Sequence, residues 1–372
     1  MTPDRPTSVL LAGGGTAGHV SPMLALADCL RRRDPQVTIA CLGTAEGLES
    51  RLVPERGYRF LTVPKVPLPR RPSVDLLRLP AHLSAAVTAA RDAITEIDAQ
   101  VVVGFGGYVA SPAYLAARRA GVPIVVHEQN ARPGVANRLG ARLTDAVGVT
   151  FAATPLPHAQ VVGMPLRPEI SGLDRAAARA EAYERFDLRE GWPTVLVFGG
   201  SLGAQRLNEA FTAVSDPLRD NGVQVLHVTG LGKLVEVPNA PDGPAYRTVE
   251  YCDRMDLAYA AADLAVGRAG ANTVCELTAV GLPAVYVPLP IGNGEQRLNP
   301  AAVIAAGGGL LVDDAVVTPD WVREVVIPLA TDPTRLAAMA RAAAVTGERH
   351  GDERLADLVD QAWTRHRGGR RG

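Results

Sequence analysis

Two glycine-rich turns, each between an apolar strand and a helix, constrain the fold of this chain most strongly. The apolar run 8–12 leads into GGGTAGH at 13–19 and then into a helix with apolar periodicity. A second copy begins at 194, where TVLVF leads into GGSLGA at 199–204 and another helix. Glycine lets a backbone approach a ligand closely, and a helix N-terminus attracts anions, so each copy predicts a phosphate-binding turn. Copies about 190 residues apart predict two nucleotide-binding halves with a cleft between them.

Short β-rich apolar runs alternate with Ala/Leu-rich helical patterns along the whole chain, which predicts parallel sheets built from βα units. The predicted strands are 8–12, 37–42, 59–63, 100–104, 122–127, 145–149, 194–198, 223–228, 246–250, 263–266, 283–287 and 309–312. The main predicted helices are 21–33, 80–97, 111–119, 132–141, 204–215, 271–280, 295–306, 319–330 and 333–346. The predicted fold class is therefore α/β, with two Rossmann-like, doubly wound domains and an interdomain cleft.

The domain boundary is predicted near 164–168, where Pro165 and Pro168 interrupt regular pairing and favour a hinge. A length of 372 residues suits two domains of ordinary size. We place an N-terminal domain at 1–166, a C-terminal domain at 167–346, and a last helix with a basic tail at 347–372.

Composition excludes several classes of function. Basic residues number 38 and acidic residues 39, so no overall field attracts the chain to nucleic acid. The four cysteines have no CxxC or Cys/His ligand spacing, which indicates buried thiols in a reducing compartment. The N-terminus lacks the apolar core of a signal peptide, and no run of 18 apolar residues occurs. We therefore expect a cytoplasmic protein with neither a metal site nor a bound cofactor.

The first glycine turn satisfies GxGxxG, so a dinucleotide cofactor such as NAD or FAD is one alternative. That alternative needs an acidic residue at the end of the second strand, but this strand ends at Cys41-Leu42-Gly43-Thr44 and Glu46 comes late. The helix dipole at His19 disfavours a protonated imidazole, so this side chain could act as a neutral base. The alternative is a histidine that only caps or packs.

Four further polar segments follow predicted strands and are candidates for ligand contacts. GFGGYVASP at 104–112 suits a second phosphate on the acceptor side, and VVHEQN at 125–130 places four polar groups at a strand end. In 263–276, a strand turns into a helix that carries Glu276, which could bind ribose hydroxyls. In 288–300, the amides of Gln296 and Asn299 suit sugar hydroxyls. Each segment could also be an ordinary loop or a solvated face.

Segment 64–83 combines basic residues with leucines, which suits peripheral contact with anionic lipid. The alternative places the leucines in the core and the charges in solvent. The basic residues are Lys65, Arg70, Arg71 and Arg78.

Seven motifs in order resemble one family over about residues 8–345: GGGTAGH, GFGGYVASP, HEQN, GMPLR, GGSLGAQRLN, RAGANTVCE and EQRLN. They resemble the MurG family of peptidoglycan N-acetylglucosaminyltransferases. The resemblance implies a GT-B fold, with a C-terminal helix that packs back on the first domain. It also implies an inverting, metal-independent transfer of GlcNAc from UDP-GlcNAc to the C4 hydroxyl of MurNAc in lipid I, which gives lipid II. The chain departs from the family at Ala17, Glu295 and GYVASP.

The resemblance also implies a set of site residues. The substrate-binding positions are Thr16, Ala17, Gly18, Asn130, Arg167, Ser201, Cys252 (through its backbone), Ala271, Asn272, Thr273, Val274, Cys275, Glu276 and Gln296. The acceptor-side positions are Gly106, Gly107 and Tyr108. The acceptor hydroxyl needs a general base, for which we choose His19, with Glu128 as the alternative.

The expected partners are UDP-GlcNAc, undecaprenyl-linked lipid I and anionic lipid at the cytoplasmic face of the membrane. Divisome or elongasome proteins, which act in cell division and cell shape, are candidate partners. Two other functions stay open: a UDP-GlcNAc 2-epimerase or a glycosyltransferase with another acceptor, and a non-catalytic UDP-sugar-binding or scaffold protein. An assay without acceptor separates the epimerase, and any turnover excludes the scaffold.

Overall fold

A computed structural model describes residues 5–65, 75–200, 203–238 and 242–369, with the backbone alone at 75–79. The chain divides into two compact units. The first unit comprises residues 1–167 and 349–372, and the second comprises 168–348.

The first unit is built on a parallel sheet with strand order β3-β2-β1-β4-β5-β6-β7 among the described residues. Its strands are β1 (Ser8–Ala12), β2 (Thr38–Gly43), β3 (Arg59–Thr62), β4 (Val101–Gly104), β5 (Ile124–Glu128), β6 (Val147–Val149) and β7 (Ala159–Val161). Its helices are α1 (Ala17–Arg33), α2 (Glu49–Glu55), α3 (Asp75–Glu96), α4 (Gly107–Ala120) and α5 (Val135–Gly140). Strands β1, β4 and β5 are buried along their whole length, as helices on both faces of a parallel sheet require.

The second unit repeats this plan with strand order β10-β9-β8-β11-β12-β13 among the described residues. Its strands are β8 (Thr194–Phe198), β9 (Gln224–Val228), β10 (Tyr246–Val249), β11 (Leu264–Gly267), β12 (Ala284–Tyr286) and β13 (Gly309–Leu311). Its helices are α6 (Pro168–Ser171), α7 (Arg175–Arg185), α8 (Gln205–Thr212), α9 (Ser215–Asp220), α10 (Met255–Ala261), α11 (Ala271–Ala279), α12 (Glu295–Leu298), α13 (Ala301–Ala305), α14 (Pro319–Trp321), α15 (Ile327–Ala330) and α16 (Pro333–Thr346). A 3-10 turn spans Asp314–Val316 and a π segment spans Val322–Val326.

The C-terminal helix α17 (Gly351–Gly369) belongs to the first unit and packs against α1. Its apolar face, which includes Leu355 and Val359, is part of the same buried core as α1. At the edge of this contact, Arg33 lies 2.8 Å from a carboxylate oxygen of Asp357. Full burial of a Leu or Val side chain is worth about 1.5–3 kcal/mol and a surface ion pair about 0–1 kcal/mol, so the shared core contributes more to this contact than the ion pairs at its edge.

The sequence-based boundaries differ from the structure in a few places. The predicted helix 319–330 is three segments, because Pro328 lacks the N–H that a continuous α-helix needs. The predicted helix 204–215 corresponds to α8, which ends at Thr212, and the separate helix α9 begins at Ser215 and was not predicted. Helices α2 and α10 and strand β7 were not predicted, since each is too short to show a clear period.

Candidate active site

Strand order reverses between β1 and β4 in the first unit and between β8 and β11 in the second. Open α/β sheets bind ligands at the carboxyl ends of the strands at such a switch point. A glycine turn follows each of these four strands: 13–16 after β1, 104–107 after β4, 199–203 after β8 and 267–270 after β11. The sequence motifs therefore lie where ligand binding is expected in each unit.

The first glycine turn leads directly into α1 and fixes His19. Gly15 has a φ of +89°, and Thr16 is the extended N-cap residue. The Thr16 hydroxyl lies 3.0 Å from Nδ1 of the His19 imidazole. Burial lowers the pKa of His19, while the Glu49 carboxylate and a hydrogen bond to the Gly14 backbone oppose that shift. The imidazole is consequently neutral at pH 7 and able to accept a proton.

The second glycine turn packs against the first. Gly106 and Gly107 have φ values of +89° and +74°. A Cβ on Gly106 would lie 3.3 Å from Cδ2 and Nε2 of the His19 imidazole. A Cβ on Gly107 would lie only 2.6 Å from the Gly14 carbonyl oxygen. The structure thus brings the predicted acceptor-side residue Gly106 to His19 and Gly107 to the first glycine turn, and the third, Tyr108, is exposed.

Glu128 is buried, and both of its carboxylate oxygens accept hydrogen bonds. Oε1 accepts from the Asn130 backbone at 2.9 Å and its side-chain amide at 3.4 Å. Oε2 accepts from the Gly134 N–H at 3.0 Å and the Asn137 amide at 2.9 Å. Burial raises the pKa of Glu128, against the effect of these donors. The carboxylate holds the loop after β5 and positions Asn130. A general base would instead present a free oxygen to the substrate.

The neighbouring His127 connects β5 to the end of the first unit. Its Nε2 lies 2.9 Å from the Gly163 carbonyl oxygen, and its Nδ1 lies 3.0 Å from the Gln129 amide. Burial lowers the pKa of His127 to about 4. The side chain is therefore neutral and donates from Nε2, so its role in this arrangement is to tie β5 to the Gly163 backbone.

In the second unit, the turn after β8 is tightly packed. Gly203 has a φ of +68°, and a Cβ there would lie 1.9 Å from the Thr229 carbonyl oxygen. A Cβ on Gly199 would lie 2.2 Å from the Ala204 backbone nitrogen. Glycine is therefore required at both positions. The predicted contact residue Ser201 lies outside the described residues.

The turn after β11 leads into α11, whose N-cap residue is Gly270. The predicted segment Ala271–Glu276 forms the first turns of this helix, with Glu276 half-buried. The Tyr259 hydroxyl donates a 2.7 Å hydrogen bond to Oε2 of Glu276. The Tyr259 ring also packs at a tilt against Phe198, 6.3 Å between centroids. Glu276 is thus aimed by a buried residue of another element.

The remaining predicted contacts are distributed over both units. Thr16, Ala17 and Gly18 are exposed, and Arg167 is half-buried at the end of the first unit. In the second unit, Oε1 of Gln296 accepts a 3.0 Å hydrogen bond from the Leu289 N–H.

Cys252 is buried in the second unit, and burial raises the pKa of its thiol to about 11. The thiol is therefore neutral at pH 7, which is compatible with a contact through the backbone of this residue.

A group with metal-ligand spacing in the described residues is Cys29, Asp352 and Glu353. Both carboxylates are ion-paired: Arg32 lies 2.7 Å from Asp352, and the Arg33 Nε donates to Glu353 at 2.7 Å. These ion pairs join α1 to α17, so the three residues form part of the contact between the two helices.

The segment predicted to contact lipid is only partly described. Arg70 and Arg71 lie outside the described residues, as does the side chain of Arg78, while Lys65 is exposed. In the part of the chain that the structure describes, no helix combines the length and apolar character that a bilayer span requires.

Two parallel-sheet α/β units with glycine turns at their switch points are typical of the GT-B fold of glycosyltransferases. The glycosyltransferase family 28 N-terminal domain matches residues 9–149, and the glycosyltransferase family 28 C-terminal domain matches residues 194–355. A crystal structure of Acinetobacter baumannii MurG is similar with a TM-score of 0.77 at 28% identity, covering 95% of this chain and 99% of that one.

Curated relatives of this chain carry the name UDP-N-acetylglucosamine–N-acetylmuramyl-(pentapeptide) pyrophosphoryl-undecaprenol N-acetylglucosamine transferase. The protein from Nocardioides sp. is 59% identical over 94% of this chain and 97% of its own length. The protein from Streptomyces coelicolor is 56% identical over 95% of this chain and 98% of its own length. The chain belongs to this family, the MurG transferases within glycosyltransferase family 28. The predicted family and GT-B fold are confirmed.

Three residues that sequence reasoning missed organise the site. Glu49 contacts the first glycine turn, Asn137 on α5 donates to the His127 carbonyl and the Glu128 carboxylate at the end of β5, and Tyr259 positions Glu276. Glu49 is 34 residues from Gly15 and Tyr259 is 17 residues from Glu276, so neither is a neighbour in sequence of the residue it holds. For Glu49 a signal existed, since a carboxylate follows the second strand, but it lies on a helix that the sequence did not predict.

Proposed function

We propose that this chain is an inverting glycosyltransferase of peptidoglycan synthesis. It transfers GlcNAc from UDP-GlcNAc to the C4 hydroxyl of MurNAc in undecaprenyl-pyrophosphoryl-MurNAc-pentapeptide, and gives lipid II and UDP. The substrates follow from the names of relatives up to 59% identical over nearly the whole chain. The observation that carries the chemistry is a half-buried His19 between two glycine turns at the switch point of the first unit, where burial lowers its pKa.

His19 is the proposed general base. A base must take the proton of the acceptor hydroxyl as this oxygen attacks the anomeric carbon, and such catalysis typically contributes about 10²–10⁴-fold. A lowered pKa keeps the imidazole deprotonated near neutral pH, where the hydrogen-bonded carboxylate of Glu128 is already committed to its loop. Between the two candidates, this difference favours His19.

Binding of the diphosphate and ribose of the donor is proposed chiefly for the second unit. Negative charge grows on UDP as the glycosidic bond breaks, and donors fixed in advance stabilise it without reorganisation. The backbone N–H groups at the start of α11 are such donors, and they bind the diphosphate. Glu276, which Tyr259 positions, accepts hydrogen bonds from the ribose hydroxyls. The other proposed donor contacts are Thr16, Ala17, Gly18, Asn130, Arg167, Ser201, Cys252 and Gln296.

The lipid-linked acceptor requires the enzyme to work at a membrane surface. We propose that it binds peripherally at the cytoplasmic face, through the basic and leucine-rich segment 64–83 and anionic lipid. Divisome or elongasome proteins are proposed partners on the same grounds, because lipid II is consumed during division and elongation of the cell.

The test is transfer of labelled GlcNAc from UDP-GlcNAc to a short-chain lipid I analogue, with EDTA present. A β-1,4-linked product would support the acceptor, the stereochemistry and the metal-independent transfer. UDP formation without acceptor, or a free epimerised sugar, would instead favour the epimerase. His19→Ala should lower kcat at least 100-fold, and a near-normal kcat with unchanged pH dependence would reject His19 as the base.

A further inference from the structure

Glu49 is a fully buried carboxylate beneath the first glycine turn. It is the first residue of α2 and has no solvent exposure. Oε1 accepts hydrogen bonds from the Thr44 N–H at 2.9 Å and the Thr44 hydroxyl at 3.0 Å. Oε2 accepts from the Gly15 N–H at 3.0 Å. One carboxylate therefore joins the turn after β1 to the loop after β2.

Three glycines leave the space that this carboxylate occupies. A Cβ on Gly14 or on Gly47 would lie 2.2 Å from a carboxylate oxygen of Glu49, and a Cβ on Gly43 would lie 2.3 Å from its Cγ. None of these three residues has a positive φ, so backbone conformation alone does not require glycine there. Glycine is needed at all three positions because the Glu49 side chain fills the space that a Cβ would occupy.

This arrangement changes the interpretation of the first turn. The Gly15 N–H already has an anionic acceptor, so it is not available to a phosphate. A buried negative charge below the turn also opposes a second anion above it. Burying a carboxylate is costly unless donors satisfy it, and here three donors do.

We propose that Glu49 is a positioning residue for the transfer reaction: its carboxylate fixes the Gly13–Thr16 turn through the Gly15 N–H and thereby holds the His19 imidazole beside the acceptor. The inference rests on the proposed role of His19 as the base. The connection runs through adjacent backbone, since Thr16 follows Gly15 and its hydroxyl lies 3.0 Å from the imidazole. The carboxylate also acts on the imidazole through space, in the direction that makes the ring more basic.

The surroundings of His19 make this electrostatic effect measurable. From α2, the Glu49 carboxylate acts on the ring. The second glycine turn offers Gly106, which has no side chain, and α5 offers the neutral amide of Asn137 close to the same glycine. Among the charged side chains of the described residues, that of Glu49 accounts for the Coulombic effect on His19.

The test is Glu49→Gln in the full-length enzyme, with kcat and KM for UDP-GlcNAc measured from pH 5 to pH 8. The amide keeps the size of the side chain but loses the charge and one acceptor for the turn. We expect kcat to fall at least tenfold, while KM for UDP-GlcNAc changes less than threefold. We also expect the acid limb of the kcat profile to move to lower pH, because the imidazole has lost a neighbouring negative charge.

Two further variants make the result decisive. Glu55→Gln removes an exposed carboxylate from the same helix, where it pairs only with Arg51 in the described structure, and should behave as the wild type. Thr44→Val removes one hydrogen bond to Glu49 and keeps the charge, so kcat should fall two- to fivefold with the acid limb unmoved.

Wild-type kcat and an unmoved acid limb in folded Glu49→Gln would overturn the proposal. If Glu49→Gln does not fold, Thr44→Val decides, and a wild-type kcat there would overturn it. His19→Ala is measured in parallel. If that variant keeps its kcat, the proposed base fails; if it is inactive while Glu49→Gln is normal, the inference on Glu49 alone fails.

Discussion

Buried His127 should make the stability of the first unit sensitive to mild acid. Its pKa is lowered to about 4 in the folded chain, against an ordinary value near 6.5. The unfolded chain therefore binds a proton first as the pH falls. The stability that neutral His127 contributes to the folded chain is fully present above about pH 6.5 and is lost as the pH falls toward 4. Below that pH, His127 causes no further change in the free energy of unfolding. Between pH 7 and pH 5 the loss is about 2 kcal/mol.

The perturbation is His127→Gln, whose amide can still donate to the Gly163 carbonyl but does not titrate. The variant should be less stable at pH 7, yet its free energy of unfolding should fall about 2 kcal/mol less than that of the wild type between pH 7 and pH 5. The assay is native-state hydrogen exchange of a peptide that contains β5, corrected for the intrinsic pH dependence of exchange. Comparing the two proteins cancels all other titrating groups, including buried His227 in the second unit.

His158→Asn is the matched control, because His158 is an exposed histidine of the same unit with a φ of +59° that Asn tolerates. It should keep the wild-type pH dependence. An identical slope in wild type and His127→Gln would refute the reasoning, since it would mean that the imidazole binds protons equally well in the folded and unfolded chains.

Two predictions concern the turns and the donor side. Tyr259→Phe removes the hydrogen bond to Glu276, which for a charged acceptor is worth about 1.5–3 kcal/mol, so KM for UDP-GlcNAc should rise roughly tenfold or more. An unchanged KM would show that Glu276 needs no such partner. Gly107→Ala should destabilise the first unit by more than about 2 kcal/mol in urea denaturation, because a left-handed Ala costs about 1–2 kcal/mol and its Cβ would meet the Gly14 carbonyl at 2.6 Å. Gly57→Ala, at a φ of +71° with open space around it, should cost only the conformational free energy. Equal losses of stability in the two variants would contradict a clash between a Cβ at position 107 and the Gly14 carbonyl.

The sequence determined the elements whose pattern is local. Strands β1 and β8 are each four apolar residues after a single Ser or Thr, because a parallel sheet buries both faces, and their predicted bounds match the structure. The glycine turns were also visible, since strand, glycine and helix follow one another directly. Short elements such as α2 carried too few residues to show a period, and Pro54 within it weakened the helical pattern further.

Only the tertiary structure decided which polar groups meet. Glu49 is 34 residues from Gly15 along the chain, and Tyr259 is 17 residues from Glu276. The neighbouring strands β1 and β2 bring Glu49 to Gly15, whereas Tyr259 reaches Glu276 from helix α10 to helix α11. Neither pairing leaves a periodic trace in the sequence. Burial likewise made Glu128 a loop anchor and left His19 neutral beside the second glycine turn. Composition and pattern thus fix where strands and turns form, while long-range packing fixes which carboxylate, imidazole or hydroxyl reaches each turn.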